Sequence, residues 1–363
     1  MSKPTILAAS LVSAALFAVG AAAAPALKVE ASSDAMIWNA VAVEQGRVFV
    51  AGPRWTGSRG PALGLIGSDG KPAPYPDAAW NGWKEGGDTA RAFVNLNAIH
   101  LDGRGSLWAI DTGSPQFGGD PLPGGAKAVQ IDLETDRVVR TISFGPSVAL
   151  PGSYVDDIRF NGRHAYLTDA GKPGLIVLDL DTGQARRVLD GHPATLARKD
   201  RPIDVAGSVV RGGDGQPLAV NADPFELSRD GQTLYFGPLS GPWSQVPTRL
   251  LDDPATPAAQ LAAAVRPWAD LPPIGGSVMD PAGNLYYTEL RTGSLVKRAP
   301  DGKRSTVLSD PRLHWVDAPF IDAGGRIWLP VPQMDRVGVF NGGVSRVRQP
   351  VTLYSIDLKE QSQ

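Results

Sequence analysis

The sequence predicts an all-β fold, and within that class a six-bladed β-propeller. Three observations carry the prediction. A β-hairpin with a Gly-bearing turn recurs six times, an aromatic residue stands on the return strand of each copy, and Asn or Asp opens five of the six copies at one register. A hairpin repeated at this spacing is the mark of a propeller, in which each repeat is one four-stranded blade. The 42 Gly and 32 Pro are scattered singly, which suits many turns rather than a low-complexity tail.

In chain order, residues 1–26 read as a secretory leader. Lys3 precedes a run from Ile6 to Ala24 made almost entirely of small and apolar residues, and Ala24-Pro25-Ala26 fits a cleavage signal that leaves Leu27 first. The mature chain is therefore expected to be secreted or periplasmic, with no membrane attachment once the leader is removed. Residues 27–363 are expected to form a single propeller domain.

The six hairpins are "NAVAVEQGRVFVAG" from Asn39, "NAIHLDGRGSLWAID" from Asn97, "DDIRFNGRHAYLTD" from Asp156, "DPFELSRDGQTLYFG" from Asp223, "GGSVMDPAGNLYYTE" from Gly275 and "DAPFIDAGGRIWLPV" from Asp317. Their aromatics are Phe49, Trp108, Tyr166, Tyr235, Tyr286 and Trp328. Outer hairpins follow in the second and third repeats, as Ala128–Leu133 with Val138–Ile142 and Gly174–Leu180 with Gln184–Leu189. An Ala-rich stretch from Pro257 to Val265 predicts a short helix on a connection. "PVTLYSIDL", Pro350 to Leu358, is a spare strand expected to complete a blade begun at the other end of the chain, removing an open edge.

Composition narrows the chemistry. With 42% hydrophobic and 20% charged residues the chain is globular, and a net charge of −2 offers nothing to nucleic acid. The absence of cysteine excludes disulfides, thiol catalysis and iron–sulfur clusters. There is no H-E-x-x-H, G-x-S-x-G, Walker or G-x-G-x-x-G motif. The expected protein is a monomer that needs no cofactor.

The candidate site is the ring at the start of the hairpins: Asn39, Asn97, Asp156, Asp223, Gly275 and Asp317. Innermost strands converge on a central channel, and Asn and Asp are disfavoured in strands, so their recurrence at one register is informative. Two readings stand. The ring contacts a polar ligand or a cation, for which mixed oxygen donors suit Ca²⁺; or its members cap the entering loops. Crowded carboxylates would repel, so one titrates high or pairs with Arg159 or Arg54. Trp38, Trp315, Phe225, Tyr154 and Trp243 lie beside the ring or on loops leaving the blades, and wall a pocket or pack between blades. Of the four His, His100 is expected between blades and His192 in a loop. His314, next to Trp315, is the best placed for acid–base work.

These segments also carry a resemblance. "LNAIHLDGRGSLWAIDTG", "SYVDDIRFNGRHAYLTDAGKPGLIVLDLDTGQARRVLDGHP", "LSRDGQTLYFGPLSGPWSQVPTRLL" and the closing "PVTLYSIDL" resemble the yellow/major royal jelly protein family from about Trp38 to Leu358. The resemblance implies a secreted six-bladed propeller. In function it implies either a dopachrome tautomerase-like isomerase or a binder of catechols or amines. For an isomerase, Asp156, Asp317 and His314 are the expected acid–base residues. For a binder, Asn39, Asn97, Asp156, Asp223, Asp317, Phe225 and Trp315 are the expected contacts. The chain lacks the cysteines of animal members, so their disulfides are absent. A more distant similarity, to Ca²⁺-dependent lactonases of the gluconolactonase/regucalcin type, is partial: Asn39 and Gly275 depart from the metal-binding pattern while Asn97, Asp156, Asp223 and Asp317 fit it.

Overall fold

A computed structural model describes residue 1 and residues 26–359. The expected leader lies, apart from its ends, outside the described residues. Six four-stranded antiparallel sheets are arranged as the blades of a propeller. The innermost strands are Ala40–Glu44, Leu96–Leu101, Val155–Asn161, Ala222–Leu227, Ile274–Met279 and Phe320–Ile321, one from each predicted hairpin. A blade is apolar on both faces because it packs against two neighbours, so its strands read as continuous apolar runs rather than alternating ones.

One buried cluster fills each gap between blades. Phe49, Leu63, Leu96, Ile99 and Leu107 join blades one and two, and Ala98, Trp108, Ile158, Leu167 and Ile176 join two and three. Phe225, Leu234 and Phe236 meet Tyr166 and Val177 of blade three, and Trp243 meets Ile274 and Tyr287 across the next gap. Each such side chain contributes about 1.5–3 kcal/mol on burial, which is how a cysteine-free chain holds together. Leu329 and Ile356 lie against Tyr286 and Leu295, and Trp328 against Trp38 and Val41.

Ring closure differs from the expectation. Val351–Asp357 is the third strand of blade six, beside Arg326–Val331, and the strand that crosses between chain ends is Lys28–Ser33, which adds the outer edge. The reason is simple counting: blade one already owns four strands after Asn39, so the strand left over is the one before it. The helix predicted at Pro257–Val265 is present as Ala258–Ala264. A second short helix, Thr248–Asp252, follows Pro247 and was not read from the sequence.

Regular alternation would place Asn97 on the face of Ile99 and Leu101. A bulge prevents this. The register with the second strand shifts between Leu96 and Ala98, and again between Val155 and Ile158, Ala222 and Phe225, and Ile274 and Ser277. An extra residue in a strand re-aims its side chain. Four blades use that residue to turn a ring position into the channel instead of into the apolar gap.

Candidate functional site at one mouth of the channel

The bulges bring Asn97, Asp156, Asp223 and Gly275 together, and Asn39 and Asp317 complete the ring from just before their strands. Blades six and one are stitched there by Ala318 N–H donating to Asn39 O at 3.0 Å. Gly275 leaves a gap in the polar ring for a steric reason. A Cβ at that position would stand 2.0 Å from Val316 O, and one at Gly276 2.1 Å from Asp317 O, so the close approach of blade six admits only glycine.

The ring is the floor of a cavity of about 360 Å³. Above it stand Trp55, Phe117, Phe340, Tyr154 and Trp315, with Leu218, Val220, Leu239 and Met334. Trp55 packs on Phe117 at 4.7 Å and on Phe340 at 5.9 Å between ring centroids, and Phe117 on Phe340 at 5.2 Å. These three rings come from connections, not strands, and Trp55 and Phe340 rest on a separate apolar cluster of Ile203, Val205, Leu239, Leu290 and Trp315. Lys172 is the one basic residue of the wall.

The polar ring is only partly satisfied. Asn39 Nδ2 donates to Asn97 Oδ1 at 3.2 Å, and Tyr154 O–H donates to the same oxygen at 2.8 Å. Asn97 Nδ2 donates to Asp156 Oδ1. Asn39 is 2% exposed, yet its Oδ1 has no partner. Burial followed by the Asp223 charge holds the Asp156 carboxyl well above its ordinary range, and burial followed by the Asp156 charge does the same to Asp317. Burial and the Asp317 charge push Asp223 up to about 8. The three carboxyls thus stand in one another's fields, and each that ionises makes it harder for the next to do so.

Neither predicted arginine neutralises this ring. Arg159 binds Asp157 and Glu226, and Arg54 donates to Trp83 O at 2.8 Å and Asn81 O at 2.7 Å. The oxygens of the ring suit Ca²⁺ by type. Asn97 turns its nitrogen to Asp156, and among the described residues no three His, Cys, Asp or Glu side chains converge to hold a metal ion.

The other predicted positions divide. Tyr154 and Trp315 line the cavity, whereas Trp38, Trp243 and Phe225 are packed in the gaps between blades. Phe225 reaches only the narrow channel below the ring, with Arg159 over its face at 5.0 Å. His314 is not brought to the ring. Its Nε2 meets Asp335 at 2.8 Å and its Nδ1 faces Arg336 at 3.4 Å, because Trp315 adopts a left-handed backbone (φ 55°) between it and Asp317. His100 lies against Phe160, where burial lowers it to about 4, and His192 Nδ1 accepts Ala194 N–H within its own turn. Trp55, Phe117 and Phe340 were missed. They sit in irregular segments with no repeat to flag them.

Comparison with known proteins now adds what geometry does not. The model of the family described as "Major royal jelly protein" matches residues 96–361. The chain belongs to the major royal jelly protein family. Among its curated relatives, Protein yellow of Drosophila melanogaster is 30% identical over 245 residues, covering 61% of this chain and 44% of that protein. Protein yellow of Drosophila subobscura is 30% identical over 243 residues, with 61% and 42% covered. This royal jelly family chain thus aligns with less than half the length of those relatives. Solved structures share its fold: virginiamycin B lyase from Staphylococcus aureus (TM-score 0.51, 10% identity, 92% of this chain and 99% of that one) and a provisionally named gluconolactonase (0.54, 11%, 94% and 93%).

Proposed function

We propose that this propeller binds a small aromatic molecule carrying an amine or catechol in the cavity above the Asn/Asp ring. One observation carries the reading: a floor of three carboxyl groups, Asp156 buried and Asp223 and Asp317 half-buried, and an unpartnered amide oxygen, with no cation paired to it, beneath a wall of aromatic side chains. An ammonium or catechol hydroxyl supplies the missing donors, and the ring of such a ligand suits Trp55, Phe117 and Phe340. The contacts are Asn39, Asn97, Asp156, Asp223 and Asp317 below and Trp315 at the side. On the same reading the chain is exported, secreted or periplasmic, and works as a monomer without nucleic acid.

The test is calorimetric titration with dopamine, tyramine and serotonin at pH 7. Micromolar or tighter binding, weakened about tenfold or more by Asp156→Asn or Asp317→Asn, supports the proposal. No heat with any of the three, or binding that ignores both substitutions, sinks it.

The raised carboxyls of Asp156 and Asp223, one able to hold its proton while the other is ionised, support a second reading, a dopachrome tautomerase-like isomerase. Moving a proton from a ring carbon to a carbonyl oxygen needs one carboxylate and one carboxylic acid and no cofactor. Dopachrome decay unchanged by Asp156→Asn and Asp223→Asn removes that reading while leaving the binding one.

A further inference from the structure

We propose that Lys172 is a specificity-determining residue of the cavity and selects ligands with a carboxylate at their outer end. The class is a hydroxyaryl carboxylate, its phenol or catechol hydroxyls on the Asn/Asp floor and its carboxylate on the lysine ammonium. The charges of the cavity lining are sorted. Its three acids, Asp156, Asp223 and Asp317, all belong to the floor, and its one base is Lys172. Among the described residues, Lys172 makes hydrogen bonds through its main chain alone and takes part in no ion pair.

The position of this lysine is set by buried groups. Asp169, wholly buried, accepts the main-chain N–H groups of Tyr154 at 2.8 Å, Gly171 at 3.1 Å and Lys172 at 2.8 Å through one oxygen. Its other oxygen accepts the Ser153 hydroxyl and Arg187 Nη1, each at 2.6 Å, and Arg187 Nη2 donates to Lys172 O at 2.9 Å. A single carboxylate thus fixes the backbone of Tyr154 in the wall and of Lys172 at the mouth. The lysine stem crosses Gly152, itself part of the lining. A Cβ there would stand 3.0 Å from Lys172 Cε and 3.4 Å from Nζ, so glycine leaves the ammonium room at the edge of the cavity. The side chain stays open to solvent and to whatever enters.

A ligand that meets both ends carries a hydrogen-bonding head, an aromatic middle and an anion. A hydroxyl suits the head better than an ammonium, because it donates to Asn39 Oδ1 and also accepts from a protonated carboxyl. The floor is short of full charge near pH 7, Asp223 being pushed up to about 8, which lessens its repulsion of an anion held at the mouth.

This inference rests on the reading of the cavity as an aromatic-ligand site and names which end of the ligand faces out. Its test is calorimetric titration at pH 7 with dihydrocaffeate and dopamine, which share a catechol and a tail of equal length and differ in the sign of the tail's charge. The wild type is expected to bind dihydrocaffeate more tightly than dopamine. Lys172→Gln weakens dihydrocaffeate about threefold to fivefold, the range of a solvent-exposed ion pair, and tightens dopamine slightly by removing a like charge. Lys172→Glu enlarges both changes. A merely structural role would move the two ligands in the same direction. Dopamine bound more tightly than dihydrocaffeate by the wild type, or dihydrocaffeate affinity unmoved in Lys172→Gln, overturns the inference and leaves the amine reading standing. No heat with dihydrocaffeate also overturns it, and dopamine, tyramine and serotonin then decide the broader reading by themselves.

Discussion

Asp156 and Asp157 are adjacent on one strand and live in opposite electrostatic worlds. Asp157 points to the far side of the ring, where it and the 4% exposed Glu226 share the Arg159 guanidinium, and Glu226 also accepts the Ser277 hydroxyl at 2.9 Å. Burial alone would lower the Arg159 pKa, but its two carboxylates outweigh it and hold the guanidinium firmly charged. Asp156 points to the cavity, where its neighbours are more carboxyls. A buried charge with its partners in place is a brace between blades three, four and five. A buried carboxyl without them carries a standing cost.

The largest effect expected from disturbing this contrast is on the satisfied side. Arg159→Leu leaves Asp157 and Glu226 buried without a counter-charge, and unfolding free energy by denaturant titration drops by about 3–5 kcal/mol. Next comes the steric edge of the ring. Gly276→Ala sets a methyl group against the Asp317 carbonyl and costs about 1–3 kcal/mol, with weakened amine binding because Asp317 is displaced. The unsatisfied side then gives the opposite sign. Asp223 titrates near 8 in the fold against 3.8 ordinarily, so between those values the native state holds the extra proton. Its stabilising effect is complete below about pH 4 and is lost as pH rises to about 8. Melting temperature should therefore fall from pH 5 to pH 8, and Asp223→Asn should flatten that slope while raising the pH 8 value by a few degrees. A slope that steepens in this variant contradicts the ring's description. Smallest of all is the expected response to chelation: EDTA leaves the melting temperature within about one degree, since among the described residues no three His, Cys, Asp or Glu side chains converge. A stoichiometric calcium lost together with stability would instead favour the lactonase-like chemistry.

The same contrast explains what the sequence made legible. The hairpin repeat and its aromatics report packing between blades, a requirement every blade shares, so all six innermost strands could be read in advance. The ring was legible because each blade donates to it at one register. The choice of partners was not. Which of two adjacent aspartates meets an arginine depends on a bulge that shifts direction by one residue, and bulges of this kind leave no mark in the alternation of Val155 to Asn161. The cavity wall was hidden for another reason. Trp55, Phe117 and Phe340 come from connections of unequal length, and His314 was misjudged because proximity in sequence to Asp317 does not survive the turn at Trp315.

The edge strand Lys28–Ser33 sets the order in which this molecule can become whole. Its partner is Val351–Asp357, with Ser33 opposite Val351 and Lys28 opposite Ser355. A ribosome makes the first of these strands more than three hundred residues before the second. Until then blade six lacks its outer two strands and the circle stays open, so five blades accumulate without the sixth to lock them. Such distant pairing is slow to form. The polypeptide consequently remains unclosed for nearly the whole of its synthesis, and the last strand made is the one that gives the first its partner.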